Sequence, residues 1–169
     1  MARDIKIKKH LILKRIIFMM MLISTFFMIF QFSAQDGVKS SSVSTKVTNK
    51  IVDVISKVKH VSSQDRTRYV NKLQPYVRKL AHFSIYTLVG FSIMGFFCTF
   101  DIRNKYKLLW SLLIGIVYAT SDEIHQRFTP GRSPRLFDVG IDTLGIVTGI
   151  FIMIFLIIII ENISNWLKR

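Results

Sequence analysis

Three groups of polar residues have types and spacings that chemistry can use. The first is Arg78, Lys79, His82 and Tyr86. In a helix Arg78, His82 and Tyr86 step by four and share a face, with Lys79 close to it. The second is Asp122, Glu123 and Gln126, with Asp122 and Gln126 one turn apart. The third is Asp138 and Asp142, also one turn apart. Between the last two groups runs a loop containing Arg132 and two turn signals, Pro130-Gly131 and Ser133-Pro134. In such a set Asp122 or Glu123 would serve as general acid or base, with His82 as partner. Lys79 and Arg132 would hold an anionic head group such as a phosphate or carboxylate. Carboxylates with a histidine also suit a divalent cation. No HExxH or similar motif is present, however, and no metal is expected. The plainer alternative is that these groups are ion pairs locking helices together. That alternative does not require both His82 and Gln126 nearby. His125, beside Gln126, is expected to be solvated or to pack between helices.

The elements that must position these residues are apolar. Ile16–Phe32 is 17 residues without a charge, Leu80–Phe100 is 21 with one histidine, and Val139–Ile160 is 22 with one aspartate. A membrane span needs about 20 mostly apolar residues, so each is expected to cross. Leu108–Ser121 would rise only ~21 Å at 1.5 Å per residue. A full crossing there carries the helix on through Asp122 and Gln126 and puts those charges at membrane depth. Charged residues at that depth are costly and mark functional candidates. Gly145 and Gly149, like Gly115 and Ala119, form small-xxx-small pairs that favour close helix packing. Trp110 and Trp166 suit interfacial anchors.

Composition agrees. The chain has 169 residues, room for one domain, and 50% of them are apolar. That share excludes intrinsic disorder. The single Cys98 excludes a disulfide scaffold, and its apolar setting suits inert packing. A net charge of +14, from 24 Lys+Arg against 10 Asp+Glu, would suggest nucleic acid in a soluble domain. Here the charge lies between apolar runs, so membrane lipids are the expected partner and nucleic acid is not. No GxSxG, P-loop or CxxC motif occurs.

The fold class expected is all-α, an integral membrane four-helix bundle with an amphipathic helical loop between the first two spans. Residues 1–15 form a basic cytoplasmic N-terminus, 16–32 the first span and 33–79 an outer amphipathic loop. Residues 80–100 form the second span, 101–107 a cytoplasmic loop, 108–126 the third span and 127–138 an outer loop. Residues 139–160 are the fourth span and 161–169 a cytoplasmic tail. The first run is expected to be an uncleaved anchor, because Phe32-Ser33-Ala34 makes a poor cleavage site. Raw Lys/Arg totals, 11 on one side and 13 on the other, do not decide orientation. Near the first span the N-terminal side leads by six to three, which places both termini in the cytoplasm. All three polar groups then fall on the outer side. In the outer loop Val43, Val47, Ile51, Val54, Ile55, Val58 and Val61 recur at helical steps among lysines. Such a helix would lie on an anionic leaflet or pack on the membrane domain. A second stripe, Tyr69, Leu73 and Tyr76, is expected to break at Pro75 before the second span.

The stretches RKLAHFSIYTLVGF (78–91) and TSDEIHQRFTPGRSPRLFDVGIDTLGIVTG (120–149) resemble the VanZ-like family of bacterial membrane proteins. So does SAQDG (33–37) after the first span. The resemblance covers about residues 16–160. The family pattern falls on Lys79, His82, Phe83 and Tyr86; on Asp122, Glu123 and Gln126; on Pro130, Gly131 and Arg132; and on Asp138, Asp142 and Gly145. It implies a small four-helix protein of the bacterial cell membrane. The family's namesake is associated with low-level resistance to the glycopeptide teicoplanin.

Three functions compete for these residues. The first is a cell-envelope protein whose outward pocket binds a lipid head group, a lipid-linked cell-wall precursor or a lipophilic glycopeptide. Its binding residues would be Arg78, Lys79, Tyr86, Gln126, Arg132, Asp138 and Asp142. The second is a membrane hydrolase or transferase with Asp122 or Glu123 as base and His82 as acid. The third, a proton-linked transporter, has little room for alternating access in four short spans. The residues identify neither a cofactor nor an oligomeric state.

Overall fold

The structure, a computed structural model, describes residues 2–59, 62–132 and 135–168. Among these residues the chain is all helical, with five helices: α1 (Ala2–Ser33), α2 (Gly37–Lys59), α3 (Ser63–Cys98), α4 (Asn104–Arg127) and α5 (Leu136–Trp166). Three helices contain stretches long and apolar enough to cross a membrane: Lys8–Ser33, Gln64–Cys98 and Leu136–Trp166. Helix α4, which carries Asp122 and Glu123, does not meet that criterion by composition.

Side-chain contacts fix the helix directions. Arg15 on α1 donates from Nη2 to the Thr99 carbonyl at 2.9 Å and lies 4.1 Å from the Phe100 ring centroid, so α1 and α3 run antiparallel. Phe26 stacks on Tyr118 at 3.6 Å and Phe30 lies 5.0 Å from His125, so α1 and α4 run parallel. Helices α3 and α5 run parallel in close contact. A Cβ at Gly145 would lie 2.5 Å from the Phe83 carbonyl oxygen, and one at Gly149 would strike the Thr87 carbonyl oxygen. Glycine is therefore required at both by the approach of the two backbones. The core between the helices holds Tyr86, Val89, Ile93, Ala119, Ile146 and Ile150. Large apolar side chains such as Met20, Phe27, Val117, Phe151 and Phe155 point outward. In water this would be a large unpartnered surface, and in lipid it is the natural exterior.

One sequence expectation needs correction. Helix α3 does not break at Pro75 but runs unbroken from Ser63 to Cys98 with Pro75 inside it. Pro75 removes a donor to the Asn71 carbonyl, and both residues lie on an exposed side where water can replace the bond. Helix α2 packs by a face other than its apolar stripe. Val43, Val47, Ile51 and Val54 of its apolar stripe are exposed, whereas Ser44, Thr48 and Val52 are buried. Val58 and Val61 fall outside the described side chains. Small side chains let α2 come close to α3, and the hydroxyls cost little because they bond within α2: Thr48 Oγ1 to the Ser44 carbonyl at 2.8 Å, Ser44 Oγ to the Ser41 carbonyl at 3.0 Å. Gln74 of α3 completes the seam by donating to the Ser41 carbonyl at 3.2 Å.

Candidate functional site

The polar groups converge at one end of the helices. Helix α3 delivers Arg78, Lys79, His82 and Tyr86 from successive turns, and α4 delivers Asp122, Glu123 and Gln126 from its last turns. Helix α5 delivers Asp138 and Asp142 from its first two turns. The loop after α4 closes the arrangement. It is held to the α1–α2 junction by the Gly37 amide, which donates to the Pro130 carbonyl at 3.0 Å, and by Thr129 Oγ1, which donates to the Ser33 carbonyl at 3.3 Å. Gly131 has φ 71°, the left-handed region that favours glycine. A Cβ on Gly37 would overlap the Gly131 carbonyl, so this crossing needs glycine on both strands of chain.

Arg132 is the hub. Its Nη2 donates to the Phe32 carbonyl at 2.6 Å, its Nε to the Gln35 carbonyl at 3.2 Å and its Nη1 to Gln126 Oε1 at 2.9 Å. Gln126 in turn donates from Nε2 to Asp122 Oδ2 at 3.0 Å. The amide therefore relays from a cation to a carboxylate, with its orientation set at both ends. Partial burial, then the charge of Arg78, lower the pKa of Arg132 from its usual value, while Asp122, Glu123 and Asp36 oppose that shift. Glu123 takes a different partner: its Oε2 accepts from the Arg135 amide at 3.2 Å, fixing the start of α5 to the end of α4.

Asp142 is fully buried and faces His82, with Oδ1 3.6 Å from Nδ1. Asp122 joins them: one ligand atom from each of His82, Asp122 and Asp142 lies within 4.8 Å of the other two. The Tyr86 hydroxyl is buried and has no hydrogen-bond partner among the described residues. Lys79 Nζ lies 4.4 Å from the centre of the Phe137 ring, a cation–π contact at the start of α5.

Two adjoining cavities meet at this cluster. One, of about 220 Å³, is mostly apolar and runs between Ile29, Phe32, Val43, Val47, Ile85 and Tyr86. The other, of about 270 Å³, is much more polar than the first and is lined by Lys79, Glu123, Arg135, Asp138 and Asp142 among others. Arg78, His82, Gln126 and Arg132 line both. Of the four carboxylates, Glu123, Asp138 and Asp142 line the polar cavity and Asp122 the apolar one.

All ten residues singled out from sequence thus lie at this end of the molecule. Sequence reasoning missed Tyr118, whose hydroxyl donates to the Phe26 carbonyl at 2.9 Å beside Tyr86. It also missed the Arg135 amide and the carbonyls of Phe32 and Gln35. Backbone groups leave no mark in residue types. A tyrosine amid apolar residues reads as packing, although a hydroxyl in an apolar run demands a partner. His125 packs against Phe30, one of the two roles expected for it.

Neither a curated protein nor a solved structure matches the chain. A family model does, over residues 17–159, a range that holds every residue of the site. The chain belongs to the VanZ/LLP1 family, and its apolar helices make it a VanZ-like membrane protein.

Proposed function

We propose that this is a multi-pass protein of the bacterial cell membrane that binds an amphipathic or lipid-linked envelope ligand at the outer end of its helices. The observation that carries this reading is the pair of cavities sharing Arg78, His82, Gln126 and Arg132. A charged head group suits the polar cavity, where Arg78, Lys79 and Arg132 supply cations. An acyl or prenyl chain suits the apolar cavity between α1, α2 and α3. In this reading α1, α3, α4 and α5 are the four spans. Although α4 carries acids, it packs among the other three helices, which shields them from lipid. Both termini are cytoplasmic, a topology that a reporter fused to the C-terminus checks. Activity of a fusion that works only outside the cell would reverse it. Helix α2 lies along the outer leaflet with Val43, Val47, Ile51 and Val54 toward lipid. A lipophilic glycopeptide such as teicoplanin fits the same description as a lipid-linked wall precursor.

The test is native mass spectrometry of the full chain purified in mild detergent, with teicoplanin sensitivity of the expressing strain measured in parallel. An anionic amphiphile retained by the native chain and lost from Lys79→Ala and Arg132→Ala supports the reading. Lipid retention and teicoplanin sensitivity unchanged in both variants overturn it.

A second reading is favoured by the proximity of His82 to Asp122 and Asp142. A membrane hydrolase or transferase would use Asp122 or Glu123 as base and His82 as acid on an envelope lipid. A deletion strain would then accumulate a lipid substrate, and an unchanged lipid profile speaks against catalysis.

A further inference from the structure

We propose that His82, Asp122 and Asp142 bind a single divalent transition-metal ion of the zinc or manganese class. Three helices each contribute one donor: α3 the imidazole, α4 and α5 a carboxylate each. The donor atoms lie within 4.8 Å of one another. The independent observation is Asp142 itself. It is 0% exposed, and neither carboxylate oxygen has a hydrogen-bond partner among the described residues. A buried carboxylate is normally paired, hydrogen-bonded or bound to a metal.

Its neighbour His82 stands off. Its Nδ1 is 3.6 Å from Asp142 Oδ1, beyond the ~2.7–2.9 Å of a charge-assisted hydrogen bond. Two donors sharing an ion at about 2.0–2.2 Å in tetrahedral geometry lie roughly 3.4 Å apart, close to the separation seen. Charge gives the same direction. A protonated His82 would neutralise one of the two carboxylates, whereas a divalent ion neutralises both. One nitrogen and two oxygen donors, with no thiolate, suit zinc or manganese rather than copper(I). Outer partners are in place as well. Gln126, held by Arg132, donates to Asp122 Oδ2 and fixes that carboxylate, the support that metal ligands generally have. His82 is 28% exposed and lines both cavities, which gives an ion a way in and leaves coordination positions for water or an anionic group.

The inference does not rest on the ligand proposed above, and its test needs no lipid. The full chain in detergent is stripped with EDTA and titrated with Zn²⁺ and Mn²⁺ by calorimetry, with the unfolding midpoint recorded with and without metal. One ion per chain, a metal-dependent rise in midpoint, and affinity at least about tenfold weaker in Asp142→Asn and His82→Ala are expected. Asp101→Asn, at the opposite end of α3, should bind as the native chain does. Asp142→Asn keeps the side-chain shape, and His82→Ala, at a partly exposed position, provides a second variant should the first not fold. Failure of the native chain to bind either ion stoichiometrically overturns the proposal. So does native affinity in both variants, or an Asp142→Asn chain that is more stable than the native chain while EDTA leaves the native midpoint unmoved.

Discussion

Arg132 Nη2 donates to the Phe32 carbonyl at 2.6 Å and so ties the loop after α4 to the last turn of α1, a hundred residues earlier. The same guanidinium reaches Gln35 and Gln126. One planar side chain therefore serves three acceptors in three segments, which lysine, with a point charge, cannot reproduce. Arg132→Ala is expected to cost about 2–4 kcal/mol, given ~1.5–3 kcal/mol per charged hydrogen bond discounted for partial exposure. Arg132→Lys should recover less than half of that. Thermal unfolding of the three chains in one detergent checks both. Recovery of most of the loss by lysine would show that charge alone matters.

Gly149 and Gly140 lie on the same helix in opposite circumstances. A Cβ at Gly149 meets the Thr87 backbone of α3, whereas one at Gly140 meets nothing within 4 Å. Backbone cannot move aside as a flexible side chain does. Gly149→Ala should therefore destabilise by roughly 1–3 kcal/mol through overpacking. Gly140→Ala should be neutral or stabilising by up to about 1 kcal/mol from helix propensity. Unfolding midpoints of the two variants should move in opposite directions or differ clearly in size.

These two positions also show what is legible in a sequence of this kind. The Gly145/Gly149 spacing announces close packing, and the structure supplies the partner, α3. Arg78, His82 and Tyr86 at four-residue steps announce one face, and all three line the apolar cavity. Periodicity carries such information because helix geometry is fixed by the backbone. In α2 it announces the helix but not the face that packs: the apolar stripe at Val43, Val47, Ile51 and Val54 stays exposed and Ser44, Thr48 and Val52 pack inward. The hydrophobic rule assumes water outside and a core inside. Beside lipid the apolar face has a second place to go, and small residues are better at bringing helices together. Pro75 misled for a related reason. A proline ends a helix only where the freed carbonyl finds no other partner, and that depends on exposure, which residue order does not reveal. The bonds from Arg132 to backbone carbonyls lay outside any reading by residue type.

Tyr118 links α1 and α4 in two ways, stacking on Phe26 and donating to the Phe26 carbonyl at 2.9 Å. Phe26 O is a helical carbonyl, so the tyrosine bond supplements the helix bond and its loss leaves no acceptor stranded. Tyr118→Phe should cost only about 0.5–1.5 kcal/mol. Tyr118→Ala removes the stacked ring as well and should cost roughly 3–5 kcal/mol. Equal losses in the two variants, measured by unfolding midpoint, would assign the whole effect to the hydroxyl.

The exposed stripe of α2 gives the sharpest prediction about placement. Val47 is 47% exposed and lines the apolar cavity, while Lys46, one residue earlier, projects about 100° away around the helix. If α2 lies along the leaflet, its apolar side sits about 5–10 Å into the head-group boundary with its lysines toward water. Cysteine is introduced at Val47 or Lys46, with Cys98 replaced by serine, and labelled with an environment-sensitive dye in vesicles containing anionic lipid. The Val47 label should emit as in an apolar medium and resist aqueous quenchers, and the Lys46 label should do neither. Val47→Asp should weaken the contact and open the apolar cavity to water. Equal quenching of both labels would lift α2 off the membrane and leave the apolar cavity open to solvent instead of to lipid.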